Sequence, residues 1–212
     1  MSIIPENRLR RRLASAPVAV GTMLAEIRQP SVMQALANAG FDWVLIDNEH
    51  GTFTTESIAE LSRIARLVEV TPIVRVPVLT YEQIAQALDA GAQGIMLPRI
   101  TSAEEVRAAV AIAKYPPEGR RGSAMGRAHT NFRAADVVET MAAANRETFV
   151  IVQVETREAV EGLDEILGGP GVDAALIGPN DLAIALGVPG RMRDPVLEQP
   201  IERTIDACRA HG

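Results

Sequence analysis

The chain of 212 residues has one cysteine, Cys208, and one lysine, Lys114, among its 21 basic residues. A lone cysteine excludes an internal disulfide, and a lone lysine leaves one candidate for any mechanism that needs a covalent imine. Aromatic residues make up only 3% of the chain. No apolar stretch approaches the roughly 20 residues that cross a bilayer, and the sequence does not open on the apolar core of a secretory signal. Positive charge is in deficit as well. A formal charge of −6 removes the electrostatic reason to expect a nucleic-acid partner. Arg8, Arg10, Arg11 and Arg12 are a local exception, read as the solvated face of a first helix. What is present, 47% hydrophobic and 23% charged residues with glycine and proline scattered between apolar runs, excludes disorder and fits a soluble cytoplasmic enzyme.

Short β-rich apolar runs alternate with longer stretches of helical period, the pattern of βα units around a parallel sheet. Six strands are expected, at Val18 to Leu24, Trp43 to Asp47, Ile73 to Val76, Ile95 to Pro98, Phe149 to Val154 and Ala174 to Gly178. Most are apolar at nearly every position, as strands covered by helices on both faces must be. Thr80 with Gln83 and Ser102 with Glu105 have capping-box spacing at helix starts. The segments AGFDWVLID, AGAQGIMLP and PGVDAALIG form a faint repeat in which Gly40, Gly91 and Gly171 align. Each reads as a helix closed by glycine, a tight turn and a buried strand. The irregular stretch from Tyr115 to Arg133 has the length of a functional lid or interface arm. A single domain is expected across residues 1–212.

Active sites of parallel βα proteins form at the C-terminal ends of the strands. Polar residues collect there: Asp47, Asn48, Glu49 and His50 after the second strand, Arg75 in the third, Gln153 and Glu155 in the fifth, and Gly178, Pro179, Asn180 and Asp181 after the sixth. Gln153 and Glu155 leave one face of their strand, and Asp181 sits at the corresponding end of the next. Two such carboxylates can share a proton as an acid–base pair or bind a hard divalent cation through oxygen, and the cation is favoured. The GPND segment opens a helix whose free amides suit a small carboxylate, although Asn180 or Asp181 merely capping that helix is the plainer alternative. Arg75, set between apolar residues, needs an anion: Asp47, Glu49, or charge developing on a substrate oxygen. His50 is the best general base available. His129 and His211 are assigned no catalytic part.

The ordered segments IDNEHG, IVRVP, YPPEGRRG, VQVETREA and IGPNDLA resemble the signatures of the HpcH/HpaI aldolases, metal-dependent pyruvate aldolases of the phosphoenolpyruvate/pyruvate barrel superfamily, from about Gly21 onward. The resemblance implies a (β/α)8 TIM barrel and a divalent cation (Mg2+, Mn2+ or Co2+) bound by Glu155 and Asp181, with pyruvate chelating it. It implies that His50 is the base, supported by Asp89, and that Arg75 lies near the pyruvate carbonyl oxygen. Gln153, Gly178 and the amides around Asn180 and Asp181 would serve the substrate. It further implies a homo-oligomer, a hexamer built from dimers with a C-terminal helix exchanged between subunits, acting on a 4-hydroxy-2-oxoacid to give pyruvate and an aldehyde. Lys114, at the end of a predicted helix away from the strand ends, agrees with a reaction that needs no imine.

The sequence stops at His211 and Gly212, where a seventh strand is expected to start, so the last two βα units of the barrel are expected to be missing from it. Two other readings compete: a CoA-thioester lyase resembling the citrate lyase β subunit, and a non-catalytic protein that binds a metal and a 2-oxoacid. The EHG and GPNDLA contexts favour the aldolase.

Overall fold

In the computed structural model, which describes residues 3–211, six strands form one sheet in chain order, each hydrogen-bonded to its sequence neighbours. The strands are β1 (Gly21–Leu24), β2 (Trp43–Asp47), β3 (Thr71–Arg75), β4 (Gly94–Leu97), β5 (Phe149–Val154) and β6 (Ala174–Ile177). The helices are α1 (Arg8–Ser15), α2 (Ser31–Asn38), α3 (Thr55–Leu67), α4 (Tyr81–Asp89), α5 (Ala103–Ala113), α6 (Val137–Glu147), α7 (Arg157–Glu161), α8 (Leu163–Leu167), α9 (Pro179–Ala185) and α10 (Glu198–His211). This is the expected α/β order of parallel strands, with β2 and β5 at the expected bounds. Among the described residues no helix is long and apolar enough to cross a membrane.

Residues β2 through β5 are buried at almost every position, whereas β1 and β6, first and last in the sheet order, are mostly half-exposed. The first strand is also shorter than its apolar run suggests. Pairing begins at Gly21 opposite Trp43, and Val18 and Val20 stay more than half exposed. Strand length here is fixed by the partner's ladder, not by apolarity.

Two compact units make up the chain: Met1–Ile95 with Ala111–Phe149, and Met96–Val110 with Val150–Gly212. In the first, β1, β2 and β3 pair in parallel register, with Asp47 opposite Arg75 at the C-terminal end. Val44, Ile46, Ile73, Val74, Ile84 and Leu88 are almost wholly buried there. In the second, β5 and β6 pair in parallel from Ile151 opposite Ala174 to Val154 opposite Ile177.

The three-fold repeat has a physical basis. Gly40, Gly91 and Gly171 all take positive φ, at 87°, 109° and 86°. After the first two the next amide reaches back five residues, Phe41 to Leu36 and Ala92 to Ala87, the bond that closes a helix through a left-handed residue. The repeat's aspartates do matching work. Asp42 Oδ2 accepts from the Val20 amide at 2.9 Å, and Asp173 Oδ2 accepts from the Val150 amide at 2.8 Å, each fixing the start of the preceding strand.

The basic cluster departs from expectation. Instead of a merely solvated face, it anchors α1: Arg8 and Arg12 approach Asp42 at 3.7 Å, and Arg10 lies over the Phe149 ring while donating to the Thr148 carbonyl. Between them Asn7, fully buried, donates to the carbonyls of Gln93 and Glu147.

Candidate active site

The first unit builds a compact ionic cluster where β2 and β3 end. Because Asp47 and Arg75 are opposite in register, their side chains meet: Arg75 Nε donates to Asp47 Oδ1 at 2.8 Å and Nη2 to Oδ2 at 2.7 Å. Such a two-point fork is the strong form of the arginine–carboxylate pair. Nη1 lies 3.1 Å from Glu49 Oε2. The chain then turns around the same carboxylate, with the Glu49 and His50 amides donating to Asp47 Oδ1 at 3.0 and 3.3 Å. Burial works to raise the Asp47 carboxyl, but the Arg75 hydrogen bonds and charge and these two amides outweigh it and hold the group below its ordinary value. The anion required by the buried Arg75 is thus supplied twice, by both carboxylates that the sequence offered.

His50 is the open member of this cluster. Its side chain is 66% exposed, with Nε2 3.9 Å from Glu49 Oε2, so a carboxylate stands beside an accessible imidazole.

Asp89 is placed elsewhere, and the support expected from it for His50 is not made within this chain. It ends α4, which runs back along β3, and the Gln93 amide just after it bonds the Pro72 carbonyl at the start of that strand. His50 follows the other end of the β2–β3 ladder, a separation of roughly 13 Å along four strand steps. Asp89 Oδ1 instead accepts from Arg121 Nη2 at 2.5 Å and lies 3.9 Å from His129 Nδ1. The acid beside His50 is Glu49.

Lys114 also belongs to that N-terminal end. Buried, it donates through Nζ to the carbonyls of Asn145 and Thr148, the latter just before β5. Its place agrees with chemistry that uses no imine.

The second unit builds a buried carboxylate under a glycine. Gln153 and Glu155 share a face, both almost fully buried, and Gln153 Nε2 donates to Glu155 Oε2. Glu155 Oε1 accepts from the Arg99 amide at 2.7 Å. A Cβ at Gly178 would stand 2.6 Å from Glu155 Oε2 and 2.8 Å from Gln153 Nε2, so only glycine lets the backbone approach this pair so closely. From Gly178 the chain enters α9 without any side-chain cap, and Asn180 is exposed, so capping by Asn180 or Asp181 is not what these residues do. Asp181 sits half-buried in the first turn. Arg99, which holds Glu155 through its backbone at φ 53°, was not singled out in the sequence. No motif marks an amide donor.

The family model described as HpcH/HpaI aldolase/citrate lyase matches residues 22–212. The chain belongs to this family. A hydroxypyruvate/pyruvate aldolase of Roseovarius nubinhibens is 38% identical over 208 residues, covering 98% of this chain and 80% of that protein. A 4-hydroxy-2-oxo-heptane-1,7-dioate aldolase of Escherichia coli is 37% identical over 210 residues, covering 98% of this chain and 78% of that protein. Among solved structures, an HpcH/HpaI aldolase from Desulfitobacterium hafniense superposes with a TM-score of 0.92 at 35% identity, over 96% of this chain and 78% of that one. Family membership therefore extends through both units, from the His50 and Arg75 segment to the Glu155 and Asp181 segment.

Proposed function

We propose that the protein is a pyruvate aldolase of the metal-dependent type, a carbon–carbon lyase that cleaves a 4-hydroxy-2-oxoacid to pyruvate and an aldehyde and runs in reverse as a carbon-bond-forming enzyme. The observation that carries this reading is identity of 37 to 38% to two aldolases of 2-oxoacids along 98% of the chain.

The donor set fits a hard divalent cation. Glu155 and Asp181 are oxygen ligands, the glycine at Gly178 spares Glu155 Oε2 a clash, and the Gln153 amide and the Arg99 backbone amide steady its two oxygens. Among the described residues no group of three or more His, Cys, Asp or Glu is arranged as a metal cage. A cation held by two carboxylates keeps positions for water and a chelating substrate. When bound, it would supply Lewis-acid polarisation of the 2-oxoacid carbonyl.

The remaining roles belong to the chain's own groups. The uncapped amides at the start of α9 receive the substrate carboxylate, and Arg75, oriented by Asp47 and Glu49, counters negative charge on the carbonyl oxygen. His50 takes the proton from the C4 hydroxyl while the C3–C4 bond breaks, its electrons passing to C3 of the pyruvate enolate. Protonation at C3 completes pyruvate. We propose further a (β/α)8 barrel and a homo-oligomeric hexamer, as the family resemblance implies, and, from the composition and the absence of a linker, a single domain and a cytoplasmic location.

The test measures pyruvate release from 4-hydroxy-2-oxoacids beside acetyl-CoA release from a CoA thioester, after chelation and after adding back Mg2+, Mn2+ or Co2+. Metal-restored pyruvate release is expected. Thioester cleavage without pyruvate release would replace the aldolase with the citrate-lyase-like reading, and full turnover after exhaustive chelation would overturn the metal.

A further inference from the structure

The base assigned to His50 sits on an open segment, and that segment is held from the neighbouring loop. His50 is 66% exposed, with Glu49 as its charged neighbour at 3.9 Å. An imidazole so placed keeps a fixed position only if the backbone that carries it is fixed.

Upstream, the hold is the one already described, the Glu49 and His50 amides on Asp47. Downstream, it is the loop between β1 and α2, residues 25–30. The Thr52 amide donates to the Ala25 carbonyl at 3.2 Å. Arg28 Nη2 donates to the Thr52 carbonyl at 2.6 Å and to Thr52 Oγ1 at 2.8 Å. The amide, carbonyl and hydroxyl of Thr52 are thus all bound by one loop. Between His50 and Thr52 the passage is tight. A Cβ at Gly51 would collide with the Asp47 carbonyl oxygen and stand 2.6 Å from that of Ala25, so the chain threads a gap that only glycine fits. Beyond Thr52 the buried Phe53 and the capping Thr54 lead into α3. Residues 48–52 therefore form an arch with His50 near its middle, anchored at Asp47 and at Thr52.

Arg28 is used differently from its relatives in this unit. Arg8, Arg12, Arg75 and Arg121 each lie against a carboxylate. Among the described residues Arg28 meets none, and both of its hydrogen bonds end on Thr52. A charged donor makes the stronger kind of hydrogen bond, and two from one nitrogen fix the direction of approach. The side chain is exposed, so it adds little to the core and acts on the arch it grips.

We infer that Arg28 is a positioning residue for the general base: by clamping Thr52 it fixes the arch and holds the His50 imidazole where it meets the C4 hydroxyl. The inference rests on the aldolase reading above. Arg28 itself exchanges no proton, because a guanidinium stays charged. Its worth lies in placement, and a displacement of about 1 Å in a catalytic group costs on the order of 10²-fold in rate.

Arg28→Met, which keeps the stem and removes the donors, tests this on the intact chain with a divalent cation supplied. With circular dichroism unchanged, kcat for pyruvate release is expected to fall about 10–100-fold, while KM and the affinity for pyruvate stay as in the wild type. In a His50→Ala background the same substitution should cost less than about twofold, because the group it positions is gone. Amide hydrogen exchange adds a readout that needs no substrate: the Thr52 amide should be protected in the wild type and exchange at least about tenfold faster in Arg28→Met. Wild-type turnover in Arg28→Met, a rise in KM without loss of kcat, or an equal loss in the two backgrounds overturns the inference. So does a Thr52 amide that is unprotected in the wild type, a measurement that decides even if the variant fails to fold. Failure of the aldolase reading looks different: the wild type then releases no pyruvate, while exchange still reports whether Arg28 holds the arch.

Discussion

At the C-terminal end of the β2–β3 pair stand His50, Glu49, Asp47 and Arg75, and at its N-terminal end stand His129, Asp89 and Arg121: a histidine, carboxylate and arginine at each end, in opposite states of exposure. His50 is 66% exposed beside a carboxylate. His129 is 7% exposed and held neutral to about pH 4 by burial and Arg121. A base must reach substrate and gain and lose a proton near the working pH. The ensemble at one end is arranged to leave its histidine free; the other locks its histidine between Tyr115 and Arg121. Identical residue types thus carry different meaning, and burial decides which.

Substituting the two histidines breaks the comparison most sharply. His50→Ala is expected to lower kcat by about 10²–10⁴-fold, the usual worth of a general base, while leaving Tm nearly unchanged, because an exposed side chain contributes little to stability. His129→Gln should do the reverse, lowering Tm and sparing kcat. Steady-state kinetics beside thermal unfolding reads both, and an equal loss of turnover in the two variants would end the distinction.

The carboxylates sharpen it. Asp47→Ala removes the two-point partner of an arginine that is 7% exposed, and breaking a buried ion pair from one side costs about 3–5 kcal/mol. Glu49, 3.1 Å from Arg75, should keep the loss toward the lower end of that range. Asp89→Ala should cost less, since that side chain is 29% exposed and water can take its place beside Arg121. Urea unfolding of the two variants measures the difference, and a larger loss for Asp89→Ala would reverse the ranking.

Much of this was legible in the sequence where local physics fixes the outcome. The glycine repeat marked helix ends because a left-handed residue is needed there, and the polar tails of β2, β5 and β6 marked strand ends because parallel strands are apolar until they stop. The Thr54–Ser57 capping box at α3 escaped notice because serine, not glutamate or glutamine, occupies the third position. The position of Asp89 was illegible for a different reason. It lies on α4, and nothing in its own segment says which end of the sheet a helix end reaches; only the return direction of the helix does. The long loop posed the same difficulty, since Tyr115, Arg121 and His129 are buried in a stretch whose length suggests a lid or interface arm.

The smallest expected effect is the dependence of stability on pH, and it separates the two clusters by window. His129 is held at about 4 in the folded chain against an ordinary value of 6.5, first by burial and then by Arg121. Between those values the unfolded chain binds the proton and the folded chain does not. The contribution is therefore whole above pH 6.5 and is lost progressively as pH falls toward 4, by an amount of order 1–3 kcal/mol. Asp47 acts lower. Its carboxyl lies below the ordinary 3.8 because Arg75 and two amides outweigh its burial, so its contribution is whole above that value and disappears as pH falls further. The wild-type Tm should decline by several degrees between pH 6.5 and 4, and His129→Gln should flatten that decline while keeping the steeper loss below it. A variant that retained the full slope above pH 4 would assign the upper window to another group and leave His129 without the buried, neutral state that distinguishes it from His50.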